Sequence, residues 1–494
     1  MLALVVVLSV FAWYLFPAQF SPSPGSVSDA TGPERAQIYY GPANSIAILP
    51  FSGSEGFQQQ AFLPIGFSRE LHRLFIRVTG LQVTSSNSSF YFKDQSVALP
   101  IVAERLQTRY LVSGEFLEAD GQSQLVIHLF DAKKQAQTWS ETWEWDPGDV
   151  FTIQDEIVQA VMGTLKPGRE QELPRARPVN IEAWTAYLQG IHYRDERTTE
   201  GFRKAESAFG TALIAQPDYA MVQVAQAELW LGRYAVGAGD TSLVQAAREA
   251  LSAALQSDPE LPDALGLSSY LRRNIDWDWQ GGLQMAERAI RLSPGDPELM
   301  STASLAMFSL GQFAQAGPLL EASVRQDLLN LARRLRLGLL QEYAGEPEKA
   351  LSTYRQIIGL NPDFPGVRAY RARIKLIQDK PDSALQESEQ EADPFWRRYA
   401  KILALGAAGR EQEAESLLDA MMAEDGDHSA FQLAEIFASR GDIEGAFHWL
   451  QRAYDQRDGG MSELIGNWFL GNLHDDPRWE EILTLMGLPL DSNR

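Results

Sequence analysis

The chain contains no cysteine, and this absence excludes several kinds of chemistry. None of its 494 residues is a cysteine, so disulfide bonds, thiolate zinc sites and a cysteine nucleophile are excluded. Histidine is also scarce. The six histidines are scattered along the chain, and no two stand four residues apart as in a helical zinc site. We therefore expect neither a metal site nor a cofactor.

Basic residues are outnumbered, which limits the partners that the chain can bind. Lysine and arginine number 43 against 65 aspartates and glutamates, a formal net charge of −22. Contacts to phosphates require a basic face. We therefore expect no direct binding of nucleic acid.

Catalytic motifs are also missing from the sequence. Residues 53–56 contain two glycines but lack the Lys-Ser/Thr pair of a phosphate-binding loop. The serines between residues 85 and 89 are predicted to form a polar loop, and they lack the Gly-x-Ser-x-Gly turn of a hydrolase. We therefore predict that the chain is not an enzyme.

The amino-terminal apolar run is short for a membrane span. It covers residues 2–16 and stops at Pro17, whereas spanning a bilayer takes about 20 residues. No lysine or arginine precedes it, so the charge pattern predicts no orientation. Residues 18–44 are rich in proline and glycine and are predicted to be a flexible linker. We interpret residues 1–17 as a transmembrane anchor or uncleaved signal segment, with a cleaved signal peptide as the alternative.

Residues 45–166 show a different pattern, which predicts a small α/β domain with a mixed sheet. Short apolar and alternating runs predict strands near 46–51, 81–84, 110–116, 125–129 and 139–145. Helical spacing of apolar residues predicts helices near 63–78, 100–106 and 150–165. The pair Asp120-Gly121 predicts a tight hairpin turn. Residues 167–180 are predicted to be a second linker.

Four sequence blocks in this domain carry a family resemblance. They are SIAILPF at 45–51, YLVSG at 110–114, WSET at 139–142 and IQDEI at 153–157. In these blocks the domain resembles the TolB-like amino-terminal domain, which commonly precedes tetratricopeptide repeats in bacterial membrane proteins. Those proteins include CadC-like transcriptional regulators and some adenylate cyclases. The resemblance implies a single-pass protein of the bacterial inner membrane, with the bulk of the chain in the periplasm.

The remaining chain repeats with a constant period. Gly282, Ala316, Ala350 and Ala384 follow one another at intervals of 34 residues, the period of the tetratricopeptide repeat. Residues 181–460 are therefore predicted to form about eight helical hairpins, and residues 461–494 a capping segment. In the clearest repeat we expect Gly338 and Ala350 to let two helices approach closely. The chain resembles the tetratricopeptide family, whose members bind other proteins.

The predicted fold class is thus α+β multidomain. It has an amino-terminal transmembrane segment, a small α/β domain with a mixed sheet, and an all-α tetratricopeptide-repeat solenoid. This architecture favours a membrane-anchored, non-enzymatic scaffold for protein–protein interaction. The alternative is the sensor half of a CadC-like transcriptional regulator or of a cyclase whose cytoplasmic effector domain is absent from this chain.

Three successive first helices of the predicted hairpins are rich in basic residues. The resemblance to tetratricopeptide proteins implies that first helices line a concave groove. Helical periodicity separates the basic residues from the apolar stripes, and the candidate partner-binding residues are Arg336, Arg368, Lys375, Arg397 and Lys401. One interpretation is a solvated face that neutralises acidic neighbours. The other is a positive groove that captures an acidic peptide or a free C-terminal carboxylate of a protein partner.

Overall fold

The computed structural model describes residues 41–93, 95–119, 122–165, 180–236 and 240–490. The predicted anchor at 1–17, most of both predicted linkers and the turn Asp120-Gly121 lie outside the described residues.

A mixed sheet forms the core of the amino-terminal domain. Its strands are β1 Ser45–Ile48, β2 Ser52–Gly53, β3 Gln82–Val83, β4 Tyr110–Ala119, β5 Gln122–Asp131 and β6 Ala136–Glu144. The strand order is β3-β1-β4-β5-β6, and β2 pairs with β4. Strand β1 runs parallel to β3 and β4, whereas β4, β5 and β6 are antiparallel. The predicted mixed sheet is therefore confirmed.

Helices cover both faces of this sheet. They are α1 Phe62–Ile76, α2 Ser86–Phe90, α3 Leu99–Arg105 and α4 Val150–Leu165. Residues Ile46 and Ile48 of β1 point to the core formed with α1 and α4, and their neighbour Ala47 points to the core formed with α3. This division follows from the alternation of side chains along a strand.

The structure has helix α2 at Ser86–Phe90, where the sequence predicted a polar loop. The Ser85 hydroxyl accepts a hydrogen bond from Asn87 N at 3.2 Å and caps the helix. Ser88 is buried because it meets the solenoid: its hydroxyl donates to Asp327 Oδ1 at 2.7 Å and accepts from Leu329 N at 3.1 Å. A local sequence pattern does not contain these contacts, since they join residues more than 200 positions apart.

The solenoid consists of paired helices. Between residues 181 and 455, leaving out 237–239, sixteen α-helices pack as eight successive hairpins. The first helices of the hairpins are α5 Ile181–Asp195, α7 Ala220–Val236, α9 Pro262–Leu271, α11 Pro297–Ser309, α13 Leu331–Tyr343, α15 Val367–Ile377, α17 Pro394–Ala407 and α19 Ala430–Ser439. The second helices are α6 Thr199–Ala215, α8 Thr241–Ser257, α10 Trp279–Leu292, α12 Phe313–Gln326, α14 Pro347–Leu360, α16 Pro381–Glu389, α18 Glu411–Asp425 and α20 Ile443–Asp455.

The residues that define the 34-residue period lie at the contact between paired helices. Ala316, Ala350 and Ala384 are fully buried in successive second helices. Across the α13–α14 hairpin, a Cβ atom added to Gly338 would lie 2.2 Å from Tyr354 Cε1. The predicted steric reason for glycine at this position is therefore confirmed.

The chain after α20 packs back onto the solenoid. It contains two 3-10 helices, Gly459–Glu463 and Trp468–Leu473, and helix α21 Pro477–Leu485. Trp279 Nε1, at the start of α10, donates to the carbonyl of Met486 at 2.6 Å. Arg457 Nη1 donates to the carbonyl of Ile275 at 3.0 Å. The carboxyl-terminal segment thus contacts a hairpin about 200 residues earlier in the chain.

The predicted membrane location is corrected by the structure. No helix in the described ranges is both long enough and apolar enough to cross a bilayer. The longest of these helices have 17 residues, about 25 Å at 1.5 Å per residue, against an apolar core of about 30 Å. This finding contradicts the single-pass inner-membrane location with a periplasmic bulk. The residues assigned to the anchor, 1–17, lie outside the described residues.

Candidate partner-binding surface

Three of the five candidate residues meet around one short segment. This segment, Glu387–Ala392, comprises the end of α16 and the connection to α17. Arg368 of α15 contacts it on one side, and Arg397 and Lys401 of α17 contact it on the other. The segment is held in place because the buried Glu391 carboxylate accepts hydrogen bonds from the backbone N–H groups that begin α15, including Arg368 N at 3.1 Å.

Two arginines share one carboxylate on the α15 side. Arg371 Nη2 lies 2.7 Å from Glu387 Oε1, and Arg368 Nη1 lies 3.6 Å from Glu387 Oε2. Arg368 Nη1 also donates to Gln390 Oε1 at 2.9 Å. Within the described part of the chain, the Nε atoms of both arginines have no hydrogen-bond partner. Both Nε atoms are buried, and one carboxylate faces two guanidinium groups.

A third arginine adds to the positive charge at this place. Burial lowers the pKa of Arg371, Glu387 opposes this effect, and the charges of Arg368 and Arg355 lower that pKa further. Arg355 lies on α14 and is exposed to solvent. Like charges crowd around Arg371, so an additional anion here would be stabilised electrostatically.

The α17 side is more open. Arg397 is exposed, and its Nη2 donates only to the carbonyl of Ala392, at 3.1 Å, within the described residues. Lys401 Nζ lies 3.9 Å from Glu389 Oε1. We use the name basic surface for Arg355, Arg368, Arg371, Arg397 and Lys401 around Glu387–Ala392.

The other two candidate residues lie elsewhere. Arg336 of α13 is half-buried, and its charge lowers the pKa of Glu463 in the carboxyl-terminal segment. Lys375 is half-buried in the last turn of α15, two turns beyond Arg368. Arg368 and Lys375 are seven residues apart on α15 and share one helical face, whereas Arg336 lies near the carboxyl-terminal segment.

Arg373, which belongs to the same basic run in the sequence, is buried. Its Nε donates to Glu342 Oε1 at 3.0 Å, and its Nη1 donates to Glu435 Oε1 at 2.7 Å and to the Tyr399 hydroxyl at 2.9 Å. This buried network joins the first helices α13, α15, α17 and α19. The basic run in the sequence thus combines an internal ion-pair network with a separate surface.

The carboxyl-terminal segment lies against this network. Asn467 Nδ2 donates to Glu435 Oε1 at 2.8 Å and to the Tyr343 hydroxyl at 3.0 Å. The ring of Phe469 lies 4.8 Å from the Arg373 guanidinium carbon, a cation–π distance. The side of the first helices that was expected to line an open groove is therefore filled here by the chain itself.

Sequence reasoning missed two members of the basic surface. Arg371 lies three residues after Arg368, a spacing that places both on one helical face, so this signal could have included it. Arg355 lies on a second helix and was not considered, since the prediction was limited to first helices. No sequence signal reveals that the charge of Arg355 acts on Arg371, because this depends on how α14 packs against α15.

The histidines and acidic residues of the described ranges do not come together as a metal site. No group of three or more of them there could hold a metal ion. Asp278 and Asp476 cap α10 and α21 by accepting from Gly281 N at 2.9 Å and Arg478 N at 3.0 Å. The absence of a cofactor stays a prediction.

Comparison with known proteins gives one relative by sequence. No family model matches the chain. A putative adenylate cyclase 3 of Rhizobium meliloti (strain 1021) is 26% identical over 144 residues, which is 28% of this chain and 24% of the relative. The chain thus spans about a quarter of the length of the curated relative that it matches.

Solved structures with similar helical arrangements are distant. Yeast Tom70 is 12% identical, covers 87% of this chain and 86% of its own, and has a TM-score of 0.36. A tetratricopeptide repeat protein of Thermus thermophilus is 20% identical. The match covers 40% of this chain and 99% of that protein, with a TM-score of 0.29. Because both scores are low, the helical-hairpin architecture described above is based on this chain's own helices.

Proposed function

We propose that the chain is a non-enzymatic scaffold that binds another protein, and that its basic surface receives an acidic segment of that partner. The observation that supports this proposal is the sharing of Glu387 by Arg368 and Arg371. One carboxylate therefore faces two guanidinium groups, which leaves a net positive charge at this place. A partner carboxylate beside Arg397, the exposed member of this surface, would be attracted by this charge and would accept a charge-assisted hydrogen bond from Arg397.

The charge of the whole chain makes this surface distinctive. The net charge is −22, so an acidic partner is repelled by most of the molecule and attracted at the basic surface. Arg397 extends the surface toward solvent without a carboxylate of its own in the described residues. The interpretation of a solvated face that neutralises acidic neighbours fits Lys401, because Glu389 lies near it. The same interpretation fits Arg397 less well.

Charge reversal at Arg397 tests the proposal. Because Arg397 is exposed and its side chain forms one hydrogen bond among the described residues, to the Ala392 carbonyl, Arg397→Glu changes the charge of the surface with little effect on the fold. We expect binding of a fluorescein-labelled oligoglutamate peptide, measured by anisotropy at low salt, to weaken about tenfold or more, since a charge-assisted hydrogen bond contributes about 1.5–3 kcal/mol. Binding should also weaken as salt rises.

A matched control separates local from global charge. Arg203 is exposed on α6 and paired with Glu200, so Arg203→Glu makes the same change of net charge at a distant place and should leave binding unchanged. Peptides with a free or amidated carboxyl terminus distinguish a terminal carboxylate from acidic side chains as the group that is bound. Equal affinity of wild type and Arg397→Glu at low salt would reject the basic surface as the binding site.

A second candidate function is supported by the sequence match to the putative adenylate cyclase. In this alternative, residues 45–166 are a TolB-like domain, and the chain is the non-catalytic sensor part of a signalling protein. Mixing the purified chain with the catalytic domain of that relative tests this candidate. A change in cyclic AMP production from Mg-ATP would support it, and an unchanged rate at saturating chain concentration would count against it.

A further inference from the structure

The amino-terminal domain contacts the solenoid in two different ways. Against hairpin 1 (α5 and α6) and α7, the first helix of hairpin 2, the contact is apolar, because one core cluster runs from the sheet through α1 and α4 into these three helices. Helices α1 and α5 approach closely at Gly66, where an added Cβ atom would lie 2.8 Å from Leu188 Cδ1. This apolar contact is therefore a continuation of the domain core.

Against hairpin 3 (α9 and α10) and hairpin 4 (α11 and α12) the contact is polar. Arg73 Nη2 and Arg77 Nη2 of α1 lie 2.9 Å and 3.9 Å from the two carboxylate oxygens of Asp263, in the first turn of α9. Asn87 Nδ2 donates to Glu298 Oε1 of α11 at 3.0 Å. The side chain of Asp263 is 33% exposed, and ion pairs that are open to solvent contribute little to stability.

Apolar contact on this side is limited to one residue of the solenoid. Leu329 follows hairpin 4, and among the described residues it is the single solenoid member of the core cluster on the α3 side of the sheet. Close to it, Ser85 N donates to the carbonyl of Gln326 at 2.7 Å. A contact with few buried apolar residues opens more readily than a continuous core.

The carboxyl-terminal segment joins hairpins 3 to 8 into one block. It follows hairpin 8, and it contacts hairpin 3 through the hydrogen bonds of Trp279 with Met486 and of Arg457 with Ile275. Bending of the solenoid is therefore least restricted before hairpin 3. In a solenoid, each hairpin contacts its neighbours, and small rotations between them add together.

We propose that the polar contact is a clasp that opens while the apolar contact stays closed. When it opens, the block of hairpins 3 to 8 moves away from the amino-terminal domain, and hairpin 1 stays attached to that domain. The solenoid edge then presents the carboxylates of the clasp to solvent. We use the name clasp for Arg73, Arg77, Asn87 and Ser88 of the domain together with Asp263, Glu298 and Asp327 of the solenoid.

Two matched cysteine reporters test which contact opens. The chain has no cysteine, so Leu329→Cys and Leu188→Cys each place a single thiol, the first beside the clasp and the second in the apolar contact. Both leucines are buried. We expect a thiol reagent to modify Leu329→Cys about tenfold or more faster than Leu188→Cys, because the clasp opens at a smaller free energy. Added salt should speed the first reaction and leave the second unchanged, since salt screens ion pairs.

Removal of one carboxylate tests the ion pairs of the clasp. Asp263→Asn leaves Arg73 and Arg77 without the group that they share, and it should speed modification of Leu329→Cys about fivefold or more. Glu348→Gln is the matched control, because it neutralises a carboxylate in the first turn of α14. This control should leave the rate unchanged.

A larger side chain at Gly295 opens the clasp without a change of charge. A Cβ atom added to Gly295 would lie 3.1 Å from the carbonyl oxygen of Ile76, which belongs to the amino-terminal domain. Gly295→Val should therefore push the two parts of the chain apart. We expect faster modification of Leu329→Cys and an unchanged rate for Leu188→Cys.

Hydrogen exchange of the unsubstituted chain avoids any effect of the reporters. The N–H groups of Ser85 and Leu329 form hydrogen bonds across the contact and should exchange faster in added salt, whereas those within α5 should not. Equal modification rates of Leu329→Cys and Leu188→Cys would overturn the proposal, because both contacts then open only together. An Asp263→Asn rate equal to that of Glu348→Gln, or exchange at Ser85 and Leu329 that salt leaves unchanged, would also overturn it.

Discussion

The contact between Gly338 and Tyr354 allows the repeat geometry to be tested by adding one methyl group. In Gly338→Ala the new Cβ would lie 2.2 Å from Tyr354 Cε1 and 2.7 Å from Cδ1, whereas carbon atoms pack at about 3.5–4.0 Å. The Tyr354 ring is fully buried, so we place the overpacking cost at the upper end of the usual range, about 3 kcal/mol. Alanine recovers about 1 kcal/mol through its helix propensity. We expect a net loss of about 2 kcal/mol.

Gly359 in the same hairpin provides the matched control. A Cβ added to Gly359 would have no neighbour within 4 Å, so Gly359→Ala should stabilise the chain by about 0.5–1 kcal/mol. Urea unfolding followed by circular dichroism measures both variants. Replacing Tyr354 by leucine should restore part of the stability of Gly338→Ala, which a double-mutant cycle would detect as a coupling of about 1–3 kcal/mol. The reasoning fails if Gly338→Ala is as stable as Gly359→Ala, or if the cycle shows no coupling.

Two further predictions concern the buried network and the segment that covers it. Arg373→Met should destabilise the chain by about 3–5 kcal/mol, because Glu342 and Glu435 then remain buried without their cation. Adding Glu342→Gln and Glu435→Gln to this variant should restore most of the urea midpoint. If Arg373→Met alone were as stable as wild type, the result would contradict this prediction. Burial raises the pKa of Glu463 to about 7. Between about pH 4.5 and pH 7, the folded state therefore holds a proton that the unfolded chain has released. The contribution of this residue to stability falls as the pH rises through that range. Glu463→Gln should therefore raise the melting temperature above pH 7 and change it little near pH 4; the same difference at both pH values would contradict the assignment.

Much of the architecture could be predicted because it depends on short-range patterns. The strands of the amino-terminal domain follow from alternation, and the hairpins follow from small residues at 34-residue intervals, since both patterns report which face of an element is buried. The serine-rich segment at 85–89 was misinterpreted because its helix is completed by contacts to Asp327 and Leu329. The membrane location inferred from the family resemblance was wrong, because no helix among the described residues is long and apolar enough to cross a bilayer.

At the candidate site, the contributions of the sequence and of the tertiary structure are easier to separate. The sequence by itself determined the period, the mixed sheet and the basic character of three first helices, because each follows from the pattern of residues within single elements or from a constant interval along the chain. Only the tertiary structure decided that Arg373 is an internal ion-pair partner, that Arg368 and Arg371 share Glu387, and that the carboxyl-terminal segment fills the inner side of the helices. The physical reason is that charges are paired in space, across helices whose relative positions are set by packing and not by the local order of residues.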